Sequence, residues 1–288
     1  MKRNFIVYIS ILLLILVSIY ILHVYNKDQS FFLIQMSDPQ FGFIDANKSI
    51  EEETILYEKA VANINRLKPD FVVITGDFVH DHTDSTQWYE FNRITEMINK
   101  SIPVYLTPGN HEYNQSPTEE DFAHYKKIYG DDKFSFKHKK NLFIGLNTSL
   151  IKTNSTRLEK EQFEWLESEL EDSKNIRNIV VFTHYPFFIN DPNEKENKSN
   201  IDKENRIKYL DLFNKFNVKA VFAGHLHRNS YADYKGMDMI STSAVGKQLG
   251  KDLSGLRIIK VSKDSVLSNY YSLKELEKIN RKNILNSK

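Results

Sequence analysis

Beyond its first 30 residues the chain alternates between short apolar runs and longer stretches in which apolar residues recur every three or four positions. The runs 31–36, 71–75, 104–107, 142–146, 179–183 and 218–223 are too short for helices and rich in Val, Ile and Phe, so they predict buried strands. The stretches 51–67, 85–100, 118–129, 157–171 and 203–216 carry the helical period, as Ile55, Leu56, Ala60 and Ile64 show in the first of them. Three further apolar runs, 237–243, 256–261 and 266–272, follow one another with no helix between them, then a short polar helix and tail. Alternating strands and helices predict an α/β protein with largely parallel pairing, finished by antiparallel strands. The pattern holds no repeat or low-complexity linker. It divides the chain into a short N-terminus (1–4), an apolar segment (5–25), a linker (26–30), one domain (31–275) and a polar tail (276–288).

The segment 5–25 is uncharged and follows Lys2 and Arg3. Its 21 residues are long enough to span a bilayer as a helix, and its bulky end, Tyr20 to Tyr25, lacks the small residues of a cleavage site. The expectation is an uncleaved single-pass anchor, with secretion after signal cleavage as the alternative. Positive charge on the short side places the N-terminus in the cytoplasm and the domain outside it.

Composition removes several function classes. There is no cysteine, hence no disulfide framework, thiolate metal site or Cys nucleophile. The 39 Lys and Arg against 38 Asp and Glu form no basic stripe, so no nucleic-acid partner is expected.

The candidate chemistry collects where predicted strands end. Asp38 and Gln40 follow the first strand, Asp77 the second, and Asn110, His111 and Glu112 the third; His184, and His225 with His227, follow two later ones. Ligands of open α/β sheets gather beyond the carboxyl ends of the strands, so these blocks converge on one crevice. Two carboxylates with imidazoles and an amide suit a pair of divalent cations, one carboxylate bridging them, and a hydroxide held between the ions then attacks phosphorus. Each short block alone is weak, because Asp after a strand is usually a turn former or helix cap. Their joint order carries the reading.

In this order the sequence resembles the calcineurin-like metallophosphoesterase family over residues 31–275, most specifically in Gly109-Asn110-His111-Glu112 and Gly224-His225-Leu226-His227. A closer likeness to serine/threonine-protein phosphatases within it rests on Ser37 to Gly42, Gly224 to Asn229, Met239 to Gly250 and Tyr270 to Leu273. The resemblance implies a four-layer α-β-β-α sandwich hydrolysing a phosphomonoester. Asp38, Asp77 and His227 would hold one ion, and Asp77, Asn110, His184 and His225 the other, with His111 giving a proton to the leaving oxygen. Two positions depart from the family pattern. Gln40 stands where His is usual, a harder ligand that favours Mn²⁺, Fe²⁺ or Mg²⁺ over Zn²⁺. His80 stands where phosphatases of the family often carry the Asp that pairs with the catalytic His, which leaves Glu112 and Asp81 as alternative partners of His111. A phosphodiesterase acting on a cyclic nucleotide or lipid head group shares the same chemistry, and a non-catalytic metal-bearing scaffold is the reading of another class. Arg228 is a candidate phosphate clamp, residues 190–200 a candidate lid, and Tyr185 and Phe187 candidate pocket walls.

Overall fold

The computed structural model describes residues 11–20, 30–153 and 155–287. Among the described residues eleven strands form two mixed sheets, and the apolar runs read above supply nine of them. In the first sheet the order is β11(Val266–Ser272)-β10(Gly255–Val261)-β1(Phe31–Met36)-β2(Val72–Thr75)-β3(Val104–Thr107). The second runs β4(Phe134–His138)-β5(Asn141–Gly145)-β6(Asn178–Phe182)-β7(Ala220–Ala223)-β9(Met237–Ser241)-β8(Ser230–Tyr234). The central pairs β1–β2, β2–β3, β5–β6, β6–β7 and β7–β9 are parallel, while the late strands and the β4–β5 and β8–β9 pairs are antiparallel.

Strand alternation sorts the side chains into three cores. Phe31, Leu33 and Val73 meet Phe143, Val180, Phe182 and Phe222 between the sheets. Phe32, Ile34, Val72 and Ile74 point the other way, toward helices α2 (Glu51–Leu67), α3 (Ser85–Thr95) and α4 (Glu119–Tyr129). Leu142, Ile144, Ile179 and Val181 pack outward on α6 (Thr156–Glu171) and α7 (Lys203–Lys215). Helix, sheet, sheet, helix is the expected order of layers. Strands covered on both faces need no polar alternation, which is why they read as unbroken apolar runs.

Three elements escape the apolar pattern: β4, β8 and the one-turn helix α5 (Thr148–Lys152), which Asn147 caps by accepting from the Ser149 N–H. The end of the chain also departs from a free polar tail. Helix α8 (Leu273–Leu276) buries Leu276, and α9 (Arg281–Asn286) buries Ile284, in the core that lies under α2, α3 and α4. Arg66 donates to the carbonyls of Leu276 and Ile279, so the sandwich continues past residue 275.

Residues 11–20 are helical (α1) and exposed throughout. The remainder of the expected anchor, 5–10 and 21–25, lies outside the described residues, as do the expected short N-terminus 1–4 and residues 26–29 of the linker. No helix among the described residues is long and apolar enough to cross a membrane.

Candidate functional site

The two sheets deliver different chemistry to one place. Loops after β1, β2 and β3 carry Asp38, Asp77 and Asn110; loops after β6 and β7 carry His184, His225 and His227. The loops are laced together where the strand ladders stop: Asp38 N–H donates to Gly76 O, Gln40 N–H to Asp77 O, and Gly224 N–H to His184 O. The His225 N–H reaches across to the Asp38 carboxylate at 3.1 Å. Gly224 is required by space, because a Cβ there would lie 1.9 Å from Ser37 Oγ and 2.8 Å from Asp38 Oδ2.

Asp38, Gln40, Asp77, His225 and His227 all have positive φ, between 40° and 66°. A non-glycine residue in this region costs roughly 1–3 kcal/mol. Four of the five, Asp38, Asp77, His225 and His227, bring their side chains together in one crevice.

The side chains form two clusters sharing one carboxylate. Oxygen and ring nitrogen atoms of Asp77, His184 and His225 lie within 4.8 Å of one another, as do those of Asp38, Asp77 and His227. His184 Nε2 is 3.2 Å from Asp77 Oδ2, 3.1 Å from Asn110 Oδ1 and 3.2 Å from His225 Nδ1. His227 Nε2 is 3.3 Å from Asp38 Oδ1. Each ring is held from behind by a backbone carbonyl: Thr75 O on His184 Nδ1, Lys247 O on His227 Nδ1 and Lys198 O on His225 Nε2. A carbonyl only accepts, so each outer nitrogen carries the proton and the inner one presents a lone pair.

The crevice is therefore lined almost wholly by acceptors. Gln40 is buried and its Oε1 has no hydrogen-bond partner among the described residues. Hard oxygens with imidazole nitrogens suit divalent cations of the first transition row, and two carboxylates supply the charge. The residues present fit two such ions.

The electrostatics agree. Burial works against the charge on Asp77, but His184, His111 and His225 outweigh it and hold its carboxyl well below the usual range. Burial also disfavours the His184 cation, yet Asp77 pushes that ring up to about 9. The same contest, with Asp38 as partner, raises His227. Burial and the neighbouring His184 instead push His225 down to about 4.

Behind the carboxylates, Glu112 accepts from the N–H groups of Asp77, Phe78 and Gly109, fixing the β2 and β3 loops against each other. Burial, then the nearby Asp77, raises its carboxyl to about 8. Glu112 is thus occupied with backbone, and Asp81 accepts from Thr83. Neither expected partner holds His111. Its Nδ1 sits 2.7 Å from the backbone carbonyl oxygen of His80, and the two rings stack with centroids 4.8 Å apart. Burial, then His111, depresses the His80 ring below the ordinary histidine value. Gln87, fully buried and unremarked in the sequence, accepts from the N–H groups of His80 and Asp81 and so fixes this loop.

Beside the clusters opens a cleft of about 1090 Å³. Asn110, His111, His80, His82, Lys152, Tyr185 and Lys198 are among the residues that line it. Tyr185 packs on His225 with ring centroids 4.2 Å apart, whereas Phe187 is core. Arg228 does not line the cleft: it is exposed, and its stem lies against Gly250. Lys152 and Lys198 are the cations there. Residues 190–200, the candidate lid, form an ordered strap beside His225.

Residues 33–229 match the model of calcineurin-like phosphoesterases. The chain belongs to this family. It is a metal-dependent phosphoric ester hydrolase. It is 35% identical over 268 residues to serine/threonine-protein phosphatase CPPED1 of Rattus norvegicus, covering 86% of each chain. The Bos taurus counterpart is 37% identical over 265 residues, covering 85% of each. Among solved structures, a dimetal phosphatase from Danio rerio superposes with a TM-score of 0.60 at 16% identity, covering 84% of this chain and 99% of that one.

Proposed function

We propose that the protein is a two-metal phosphomonoesterase acting on serine/threonine phosphoprotein-type esters. The observation that carries this is the pair of acceptor clusters sharing Asp77, with His111 on the wall of the adjoining cleft. Asp38, Gln40, Asp77 and His227 would hold one ion and Asp77, Asn110, His184 and His225 the other. Two divalent cations bound there, with Mn²⁺ or Fe²⁺ suited to the Gln40 site and Mg²⁺ or Zn²⁺ the alternatives, supply Lewis acidity and water activation. The chain's residues then place the ester. Asn110 and His111 meet the phosphoryl group at the cleft edge. The His80 carbonyl accepts the His111 Nδ1–H and leaves Nε2 to hand a proton to the departing oxygen. Lys152 and Lys198 complement the negative charge of the ester. The relatives named as serine/threonine-protein phosphatases support the ester class.

The test is hydrolysis by the metal-stripped full chain, titrated with Mn²⁺, on p-nitrophenyl phosphate and bis-p-nitrophenyl phosphate in parallel. Manganese-dependent turnover of the monoester, lost by at least about 10²-fold in Asp77→Asn, is expected. Faster turnover of the diester would replace the monoesterase reading with a phosphodiesterase one.

The exposed apolar helix at 11–20 and the charge asymmetry around it support a single-pass anchor with the domain outside the cytoplasm. Protein that stays with membranes through an alkaline carbonate wash, and is digested by protease added outside intact cells, fits this placement. Release by the wash would refute it.

A further inference from the structure

The strap at 190–200 is rich in Asn, Glu and Lys, yet it is held by a dense set of hydrogen bonds whose centre is Arg206. This residue lies in the first turn of α7 and is fully buried. Its Nε and Nη2 donate to Ile201 O at 3.2 and 2.7 Å, and its Nη1 donates to Pro192 O at 2.9 Å and Glu194 O at 2.7 Å. All these acceptors are carbonyls. A buried guanidinium costs free energy in desolvation, and Glu194, Asp202, Glu196 and Asp191 offset it only in part, from beyond salt-bridge distance. What the arrangement yields is shape, because the planar fork fixes three carbonyls of one loop at once.

Two further contacts complete the strap. Lys152 donates from the floor of the cleft to Asn197 O and Asn200 O, each at 2.6 Å. The buried Asn200 amide accepts from Asn197 N–H and donates to Glu194. Between these two pinned residues lies Lys198, whose carbonyl is 3.3 Å from His225 Nε2. His184 and His227 take their backing carbonyls from Thr75, at the end of strand β2, and from Lys247; His225 takes its own from this strap.

We propose that Arg206 is a positioning residue for the metal centre: by locking the strap it holds the Lys198 carbonyl on His225 Nε2, so that Nδ1 faces Asp77 and His184. The proposal rests on His225 being a metal ligand, as read above. Arg206→Lys keeps the charge but loses the fork. Lys152→Met frees the same strap from a half-exposed position, where misfolding is less of a hazard.

The experiment is manganese binding to the metal-free full chain by titration calorimetry, paired with amide hydrogen exchange over 190–200. In both variants strap exchange is expected to quicken and one of the two manganese affinities to fall about 10–100-fold, the range for losing an outer-shell partner of a metal-bound histidine. His225→Ala should lose that same affinity. Faster strap exchange with both affinities unchanged in Lys152→Met overturns the proposal while leaving the site reading intact. Wild-type manganese binding indifferent to His225→Ala instead overturns the site reading itself.

Discussion

The Nδ1 of His111 lies 2.7 Å from His80 O, and a carbonyl accepts but never donates, so this nitrogen keeps its proton in either charge state of the ring. His80 thus supports His111 through its backbone. This contact was invisible in the sequence, because a backbone acceptor leaves no mark on residue identity. The inward-facing candidates were legible for the opposite reason: Asp38, Asp77, Asn110, His184, His225 and His227 are side chains placed just past apolar runs. Gln87 and Glu112 fall between, since a buried amide or carboxylate bonded to backbone looks like any polar residue. The consequence is a test of proton donation. Replacing His111 with Gln should cost about 10²–10⁴-fold in kcat on an alkyl phosphate, whose poor leaving group needs the proton. On p-nitrophenyl phosphate, whose leaving group departs without protonation, the loss should stay below about tenfold. Equal losses on the two esters would mean that His111 binds phosphate rather than donating to the leaving oxygen.

The elements that escaped the hydrophobic pattern share one physical property: they lie at edges or are very short. Strand β4 reads Phe-Ser-Phe-Lys-His, burying one face between the sheets and leaving the other to solvent, so it offers alternation where its neighbours offer runs. Its turn to β5 uses Lys139 and Lys140 at φ 45° and 63°, without the Gly or Asn that would announce a hairpin. Strand β8 is a polar edge, and α5 is a single turn. The β4 hairpin is fastened by Asp70, which accepts from His138 Nε2 at 3.0 Å, Lys139 Nζ at 2.9 Å and, from α9, Arg281 Nη2 at 3.0 Å. Burial alone would raise the Asp70 carboxyl, but these three donors hold it well below the ordinary aspartate range. A depressed folded-state value means stability present above about pH 4 and lost as pH falls below it. Its partners are about a third exposed, so the contribution is near 1 kcal/mol. Asp70→Asn should therefore melt roughly 2–4 °C below wild type at pH 7, with the gap closing below pH 4 as the Asp70 carboxyl of the unfolded wild-type chain takes up a proton. A gap that stays constant down to pH 2.5 would show that Asp70 acts by packing and not by charge.

Across the whole molecule the two sheets are joined by apolar packing, by buried polar side chains such as Gln35, which donates to Ala223 O, and Arg257, which donates to Thr242 Oγ1, and by the residues of the site. The first sheet brings the carboxylates and the amide, and the second brings the imidazoles, so an ion held by Asp77 and His184 would bond both sheets at once. The sandwich does not need that bond to fold, because Phe31, Leu33, Phe143 and Phe182 already fill the space between the sheets. Anything that binds only the folded state adds RT ln(1 + [L]/Kd), about 2.7 kcal/mol at a hundredfold excess over Kd. For a domain of this size each kcal/mol moves the melting point by about 2–4 °C. Chelation should thus lower the melting temperature by roughly 5–10 °C in one cooperative transition, and added Mn²⁺ should restore it. Asp77→Asn, which removes the shared carboxylate, should melt at the same temperature with or without Mn²⁺. If chelation instead split the transition in two, the ions would be holding together sheets that fold independently, and the core between them would count for less than its burial implies.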